Sequence, residues 1–256
     1  MTSDNNKSVN ERRTFPLARL LPNVLTMMSL FAGLTAVRFA MQARWDMAAL
    51  AIVIAAVFDV LDGRVARMLN TSSKFGAELD SLADLTSFGV APSFVLYLWA
   101  MQTGAYGFGW AAVLVFTACS ALRLARFNTM LEDREAPKWT KSYFTGVPAP
   151  AGAGLALLPL FIYLALGADF KIYPVLQAIW MFCAGALMVS RIPTVAMKGR
   201  RVAPIFVMPI MGLVCLIGVG LFTHIWATLS MITVIYIFSL PLGWMAYRRR
   251  ERMEQK

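Results

Sequence analysis

Long apolar blocks divide almost the whole chain, and each is close to the 20 or so residues that cross a bilayer as a helix. They run over 22–40, 46–66, 83–101, 108–126, 148–167, 172–190, 203–222 and 226–246. A backbone in lipid must satisfy its own hydrogen bonds, which an isolated span does only as a helix. The pattern therefore predicts an all-α integral membrane protein, a bundle of about eight transmembrane helices. Hydrophobic residues make up 59% of the sequence, above the roughly 45–50% of a soluble domain. No stretch remains for a separate soluble unit, so residues 1–256 are expected to form one membrane domain with a polar tail over 1–15. The first block starts late, lacks a small-x-small cleavage site and is followed by seven more, so it does not read as a removable signal.

The net charge of +10 is not a nucleic-acid signature, because its distribution follows the blocks. Of 24 Lys and Arg, 21 fall on one side of the expected bundle, and only Arg38, Arg44 and Lys171 on the other. The positive-inside rule puts both termini in the cytoplasm. The same charge would attract anionic lipid headgroups. Cys119, Cys183 and Cys215 lie within blocks without metal-type spacing and read as small packing residues. The single histidine, His224, falls at an outer turn, away from the basic side.

Against this background, four carboxylates stand out, since an ionisable group in a membrane helix costs several kcal/mol unless it is partnered. Asp59 lies 12 residues past Met47, about 18 Å along a helix, and so inside the second block toward its cytoplasmic end. Asp59, Asp62, Gly63 and Ala66 share an arc of about 100°, with Arg67 at its border. Asp80 and Asp84 are four apart and stack on one face of the next helix. A short loop joins the two helices, which makes them antiparallel neighbours with acidic faces at similar depth. Carboxylates gathered in a low-dielectric site cannot all stay ionised without a compensating cation. All-oxygen donors suit a hard divalent ion such as Mg²⁺ or Mn²⁺, and a pair of such ions suits phosphoryl chemistry. The small residues Gly63, Ala66 and Gly76 leave room for a bulky ligand, whose phosphates Arg67 and Ser73 could bind. Charge and spacing alone leave three readings open: an enzyme, a cation or proton-coupled transporter, and structural pairing with Arg64, Arg67 or Lys74. The outward halves of the blocks are almost free of charge, which counts against the transporter.

Asp62-Gly63, Ala66-Arg67, Gly76, Asp80 and Asp84 spell D-G-x2-A-R-x8-G-x3-D-x3-D, with Asp59 three places upstream. These eight fixed positions over 26 residues resemble the signature of the CDP-alcohol phosphotransferase family. The resemblance implies that Asp59, Asp62, Asp80 and Asp84 are metal ligands, and that Asp84 is also the general base. It implies two Mg²⁺ or Mn²⁺ ions and a CDP-lipid surface made of Asp62, Gly63, Ala66, Arg67, Ser73 and Gly76. Asn23 and Thr26, where the chain enters the first span, join that surface. A homodimer in the bacterial cytoplasmic membrane, with its active site facing the cytoplasm, is implied in the same way.

The motif sets the donor chemistry and not the acceptor. The stretches Leu85–Ser93, Ala121–Asn128 and Phe144–Pro150 are similar to those of the serine-using bacterial branch of the family. This implies transfer of a phosphatidyl group from CDP-diacylglycerol to L-serine, with CMP released. Thr86, Ser87, Arg123, Arg126 and Asn128 are the candidate serine-binding residues, the arginines for its carboxylate. Glycerol 3-phosphate or inositol phosphate would also call for arginine. Choline would call for an aromatic cage, for which Phe127, Trp139 and Tyr143 are near enough in sequence. Pro92 is expected to kink the third span.

Overall fold

The computed structural model describes residues 20–69, 71, 73–132, 143–167, 172–190, 193–195 and 207–254. The basic stretch over 1–19, residues 196–206 and Trp139 lie outside the described residues. Among the described residues the architecture is helical apart from one short ribbon. Helix α1 spans Leu21–Met41 and α2 spans Trp45–Met68. A continuous rod follows, made of α3 (Lys74–Asp84), a π-helical stretch (Leu85–Val90), α4 (Ala91–Leu96) and a second π-helical stretch (Tyr97–Met101). Then come α5 (Tyr106–Glu132), α6 (Ala149–Leu166), α7 (Pro174–Val189), α8 (Val207–Thr223) and α9 (Ile225–Glu254). Among the described residues, four rods are long and apolar enough to cross a membrane: α1, Lys74–Met101, the Gly107–Thr129 part of α5, and α6. The remaining apolar helices, Pro174–Val189, Val207–Thr223 and Ile225–Pro241, are shorter. Helix α2 carries Asp46, Asp59, Asp62, Arg64 and Arg67 along its length.

Small side chains hold α1 against α2. Ser29, Gly33, Ala36 and Ala40 form one buried stripe of α1, and Ala48, Ala51, Ile52 and Ala55 are buried on α2. Between helices in lipid, such seams let backbones approach closely, and that packing replaces the hydrophobic drive available in water. The hydroxyl of Ser29 crosses the seam and donates to the Ala55 carbonyl at 3.0 Å. Along the same buried stripe α1 also meets the π-helical stretch after Asp84. There a Cβ on Gly33 would lie 2.6 Å from the Ser87 hydroxyl oxygen and 2.8 Å from the Ser87 Cα.

The long rod begins with a side-chain cap. The Ser73 hydroxyl accepts from the Gly76 amide at 3.0 Å, satisfying a donor that the first helical turn leaves free. Pro92 does not break the rod. Its missing N–H and its ring are accommodated by the widened π turn that precedes it. Helix α6 is the central post, with Leu155, Ala156, Leu157 and Leu160 almost fully enclosed. The indole of Trp180 on α7 donates to its Leu155 carbonyl at 2.7 Å. Helix α8 buries none of its residues and leans on α9. Of the three cysteines, Cys119 packs toward Gly185 of α7, whereas Cys183 and Cys215 are exposed on outer helix faces.

The ribbon pairs β1 (Tyr143–Thr145) antiparallel with β2 (Pro193–Val195), Phe144 opposite Thr194. It ties the segment after α5 to the segment after α7. Gly146 follows β1 with φ 84°, and a Cβ there would lie 2.6 Å from the Met188 carbonyl oxygen. Arg126, near the end of α5, donates to the Val189 carbonyl at 3.0 Å and to the Ser190 carbonyl at 3.3 Å. Its guanidinium thus caps the C-terminus of α7, where carbonyls lack helical partners. Both terminal nitrogens donate to backbone oxygens at the end of α7, which argues for a structural role in place of the expected serine ligand. Arg126→Ala should therefore lower stability by about 1.5–3 kcal/mol, the range for hydrogen bonds from a charged group. A drop in the detergent-solubilised Tm with both Michaelis constants nearly unchanged would bear this out. A selective rise in the constant for serine would return Arg126 to the acceptor site.

Candidate active site

The acidic faces of α2 and α3 meet as their spacing requires. Asp59, Asp62 and Asp80 each offer a carboxylate oxygen, and these oxygens all lie within 4.8 Å of one another. Asp84, one turn beyond Asp80, lies near enough to Asp59 for the two carboxyl groups to interact. Asp62 is the most enclosed, only 5% exposed. The Thr26 hydroxyl of α1 donates to its Oδ2 at 2.7 Å and also lies 3.0 Å from the Pro22 carbonyl. This bond helps to fix the orientation of the Asp62 carboxylate.

A cavity of about 150 Å³ opens beside these carboxylates. Its walls are Pro22, Asn23 and Thr26 from α1, Asp62, Gly63 and Ala66 from α2, Thr71 and Ser73 from the connecting loop, and Gly76, Ala77 and Asp80 from α3. The small residues make the space. A Cβ on Gly76 would sit 3.1 Å from the Asn23 side-chain oxygen and 3.2 Å from the Ser73 hydroxyl. The Arg67 guanidinium lies along the same side of α2, 4.0 Å from where a Cβ on Gly63 would stand. A pocket bordered by the Asp62 and Asp80 carboxylates, with a guanidinium nearby, suits a charged, phosphate-bearing headgroup.

The same motif that lines this cavity falls inside a longer match. The profile of the CDP-alcohol phosphatidyltransferase family matches residues 19–190. The chain belongs to that family. A Mycobacterium leprae protein named CDP-diacylglycerol–serine O-phosphatidyltransferase is 37% identical over 225 residues, covering 88% of this chain and 74% of the relative. A Bacillus subtilis protein of that name is 36% identical over 172 residues, covering 67% of this chain and 88% of the relative. A third, from Helicobacter pylori (strain J99 / ATCC 700824), is 41% identical over 142 residues, 54% of this chain and 56% of the relative. Dependence on a divalent metal is general among CDP-alcohol phosphatidyltransferases, and three converging carboxylate oxygens are a donor set that fits such an ion.

The residues expected to hold an acceptor fall into separate places. Arg123 lies near the cluster, and its charge acts on both Asp59 and Asp84. Its guanidinium also sits over the Phe127 ring, 5.7 Å from the centroid. Asn128 donates to the Ser81 hydroxyl at 2.9 Å, tying the end of α5 to the helix that carries Asp80 and Asp84. The Thr86 hydroxyl turns back to the Leu82 carbonyl at 2.9 Å. Ser87 is fully enclosed and donates to the Ser29 carbonyl at 3.1 Å, so it belongs to the helix seam and not to a serine pocket.

Sequence reasoning passed over Thr71. It sits in a polar loop at a position the motif leaves variable. Its hydroxyl is buried, lines the cavity and has no hydrogen-bond partner among the described residues. An unpaired buried hydroxyl is costly unless a ligand or water meets it. Thr71→Val should raise the Michaelis constant for the CDP-lipid about three- to tenfold, the loss of one net hydrogen bond of about 1 kcal/mol. Thr71→Ser should retain the wild-type value. Equal values in all three proteins would remove Thr71 from the headgroup pocket.

Proposed function

We propose that the protein transfers a phosphatidyl group from CDP-diacylglycerol to L-serine, forming phosphatidylserine and CMP at the cytoplasmic surface of a bacterial inner membrane. The observation that carries this reading is the carboxylate triad beside a motif-lined cavity, in a chain whose relatives bear that activity in their names. Asn23, Thr26, Gly63, Ala66, Arg67, Ser73 and Gly76 would receive the CDP head, while the acyl chains stay among lipid. Asp59, Asp62 and Asp80 would hold Mg²⁺ or Mn²⁺, with Asp84 completing a second position. The bound ions supply neutralisation of the pyrophosphate charge that otherwise repels a nucleophile.

In this reading the protein's own groups divide the steps among them. Asp84 takes the proton of the serine hydroxyl. The serine oxygen then attacks the lipid-side phosphorus in line, and the bond from that phosphorus to the oxygen of CMP breaks. Arg67 stabilises the charge of the departing CMP, and Arg123 faces the acceptor side. In this reading the chain crosses the membrane eight times with both termini cytoplasmic, α7, α8 and α9 serving as short or mixed spans. A homodimer is the assembly expected from the family resemblance.

The test is CMP release from CDP-diacylglycerol by detergent-solubilised protein, with serine, glycerol 3-phosphate, inositol phosphate or choline in parallel. Release with serine alone, together with a serine-containing lipid, is the expected result. Removing divalent ions with EDTA should abolish it, and Mg²⁺ or Mn²⁺ should restore it. Release with another alcohol would overturn serine as acceptor. Cation movement across liposomes by folded protein, without CMP release, would favour the transporter.

A further inference from the structure

Tyr236 lies on α9, a helix that begins at Ile225, well past the family match that ends at residue 190. Its ring packs against the core, and its hydroxyl is buried with no hydrogen-bond partner among the described residues. It is also near enough to Arg123 for the guanidinium charge to act on it, and that same charge acts on Asp84 and Asp59. A buried phenol left unpaired within reach of a cation's charge is unfavourable in a finished core, because the desolvation of its hydroxyl is not repaid by a bond. The arrangement makes sense once an anionic group enters. A carboxylate can accept from the phenol and from the guanidinium together, and charge-assisted bonds of this kind are the strong ones.

We propose that Tyr236 and Arg123 recognise the carboxylate of the amino-acid acceptor, Tyr236 through its O–H and Arg123 through its charge. This rests on the serine reading above and names a residue for acceptor selection that neither the motif nor the family match contains. The donor cavity is lined from α1, α2, α3 and their connecting loop, whereas Arg123 and Tyr236 stand on α5 and α9, so the two substrates are read by different helices.

The test compares wild type with Tyr236→Phe, which removes only the hydroxyl. Michaelis constants for serine and for CDP-diacylglycerol, the serine-induced shift in Tm, and turnover of serinamide, which lacks the carboxylate, are measured for both proteins. The variant should keep its serine-free Tm and its constant for the CDP-lipid. Its constant for serine should rise about tenfold, the effect of losing one hydrogen bond to a charged group. The preference for serine over serinamide should narrow by a similar factor. An unchanged constant for serine, or equal rises for both substrates, would overturn the assignment while leaving the serine transferase reading in place. A wild type that makes no serine-containing lipid would remove both together.

Discussion

Asp84→Asn is expected to lower turnover about 10²- to 10⁴-fold, the usual contribution of a positioned general base, while binding of the CDP-lipid persists. Asparagine keeps the shape of the side chain but cannot take a proton from the acceptor hydroxyl. The triad of Asp59, Asp62 and Asp80 and the cavity beside it are left as they are. Asp84 lies near enough to Asp59 for the two carboxyl groups to interact, so it could act through a metal as well as through a proton. A metal titration separates the two roles. If loss of a ligand were the cause, raising Mg²⁺ or Mn²⁺ would restore turnover. Loss of a base would leave the rate low at every metal concentration. Full activity in Asp84→Asn would remove it as the base.

A second large effect should come from a residue that touches no substrate. Gly33→Ala places a Cβ 2.8 Å from the Ser87 Cα and 2.9 Å from its Cβ. Backbone cannot swing aside as a side-chain tip can, so α1 and the rod after Asp84 must separate. Overpacking of this kind costs about 1–3 kcal/mol. The shift would also weaken the bond from Ser87 to the Ser29 carbonyl and move Asp84 relative to Asp59 on α2. The expected result is a lowered Tm together with a fall in kcat of more than tenfold. Leu34→Ala, on the adjoining exposed face of α1, serves as the control and should change neither. A Gly33→Ala protein with normal Tm and rate would show that the seam is looser than these distances imply.

The two predictions draw on parts of the molecule that are unequally legible in the sequence. The meeting of α2 and α3 follows from spacing alone, because residues three and four apart share a helix face and a short loop forces two helices to run antiparallel. Asn23 and Thr26 reach the cavity because α1 lies against both helices, which only the family resemblance suggests. Ser87 and Arg126 look in sequence like polar residues near the site, yet both are turned to backbone carbonyls. The widened turn after Asp84 carries Ser87 round toward α1, and a sequence does not announce a π turn. Arg126 is masked by its neighbour Arg123, since the two lie three apart on α5 and only their surroundings tell them apart. Thr71 and Tyr236 are invisible for a simpler reason. A threonine in a loop and a tyrosine in an apolar helix are ordinary until their hydroxyls are found buried and unpaired. The ribbon between β1 and β2 joins segments about 50 residues apart, with strands too short for periodicity to mark.

The π turn over Leu85–Val90 also makes the rod from Lys74 to Met101 a joint between two angular settings. Removing one residue from that stretch would let it relax to ordinary helix and turn its far half by about 100° relative to the acidic half. The eight motif positions would survive such a deletion untouched. Yet Ser93, which now meets Thr117 of α5 at 3.3 Å, would be swung off its neighbour along with the rest of α4. A chain can therefore keep a perfect signature and lose the assembly that gives it meaning, and homologues with a residue more or less between Asp84 and Pro92 should be judged by the phase of their helices before the letters of their motif.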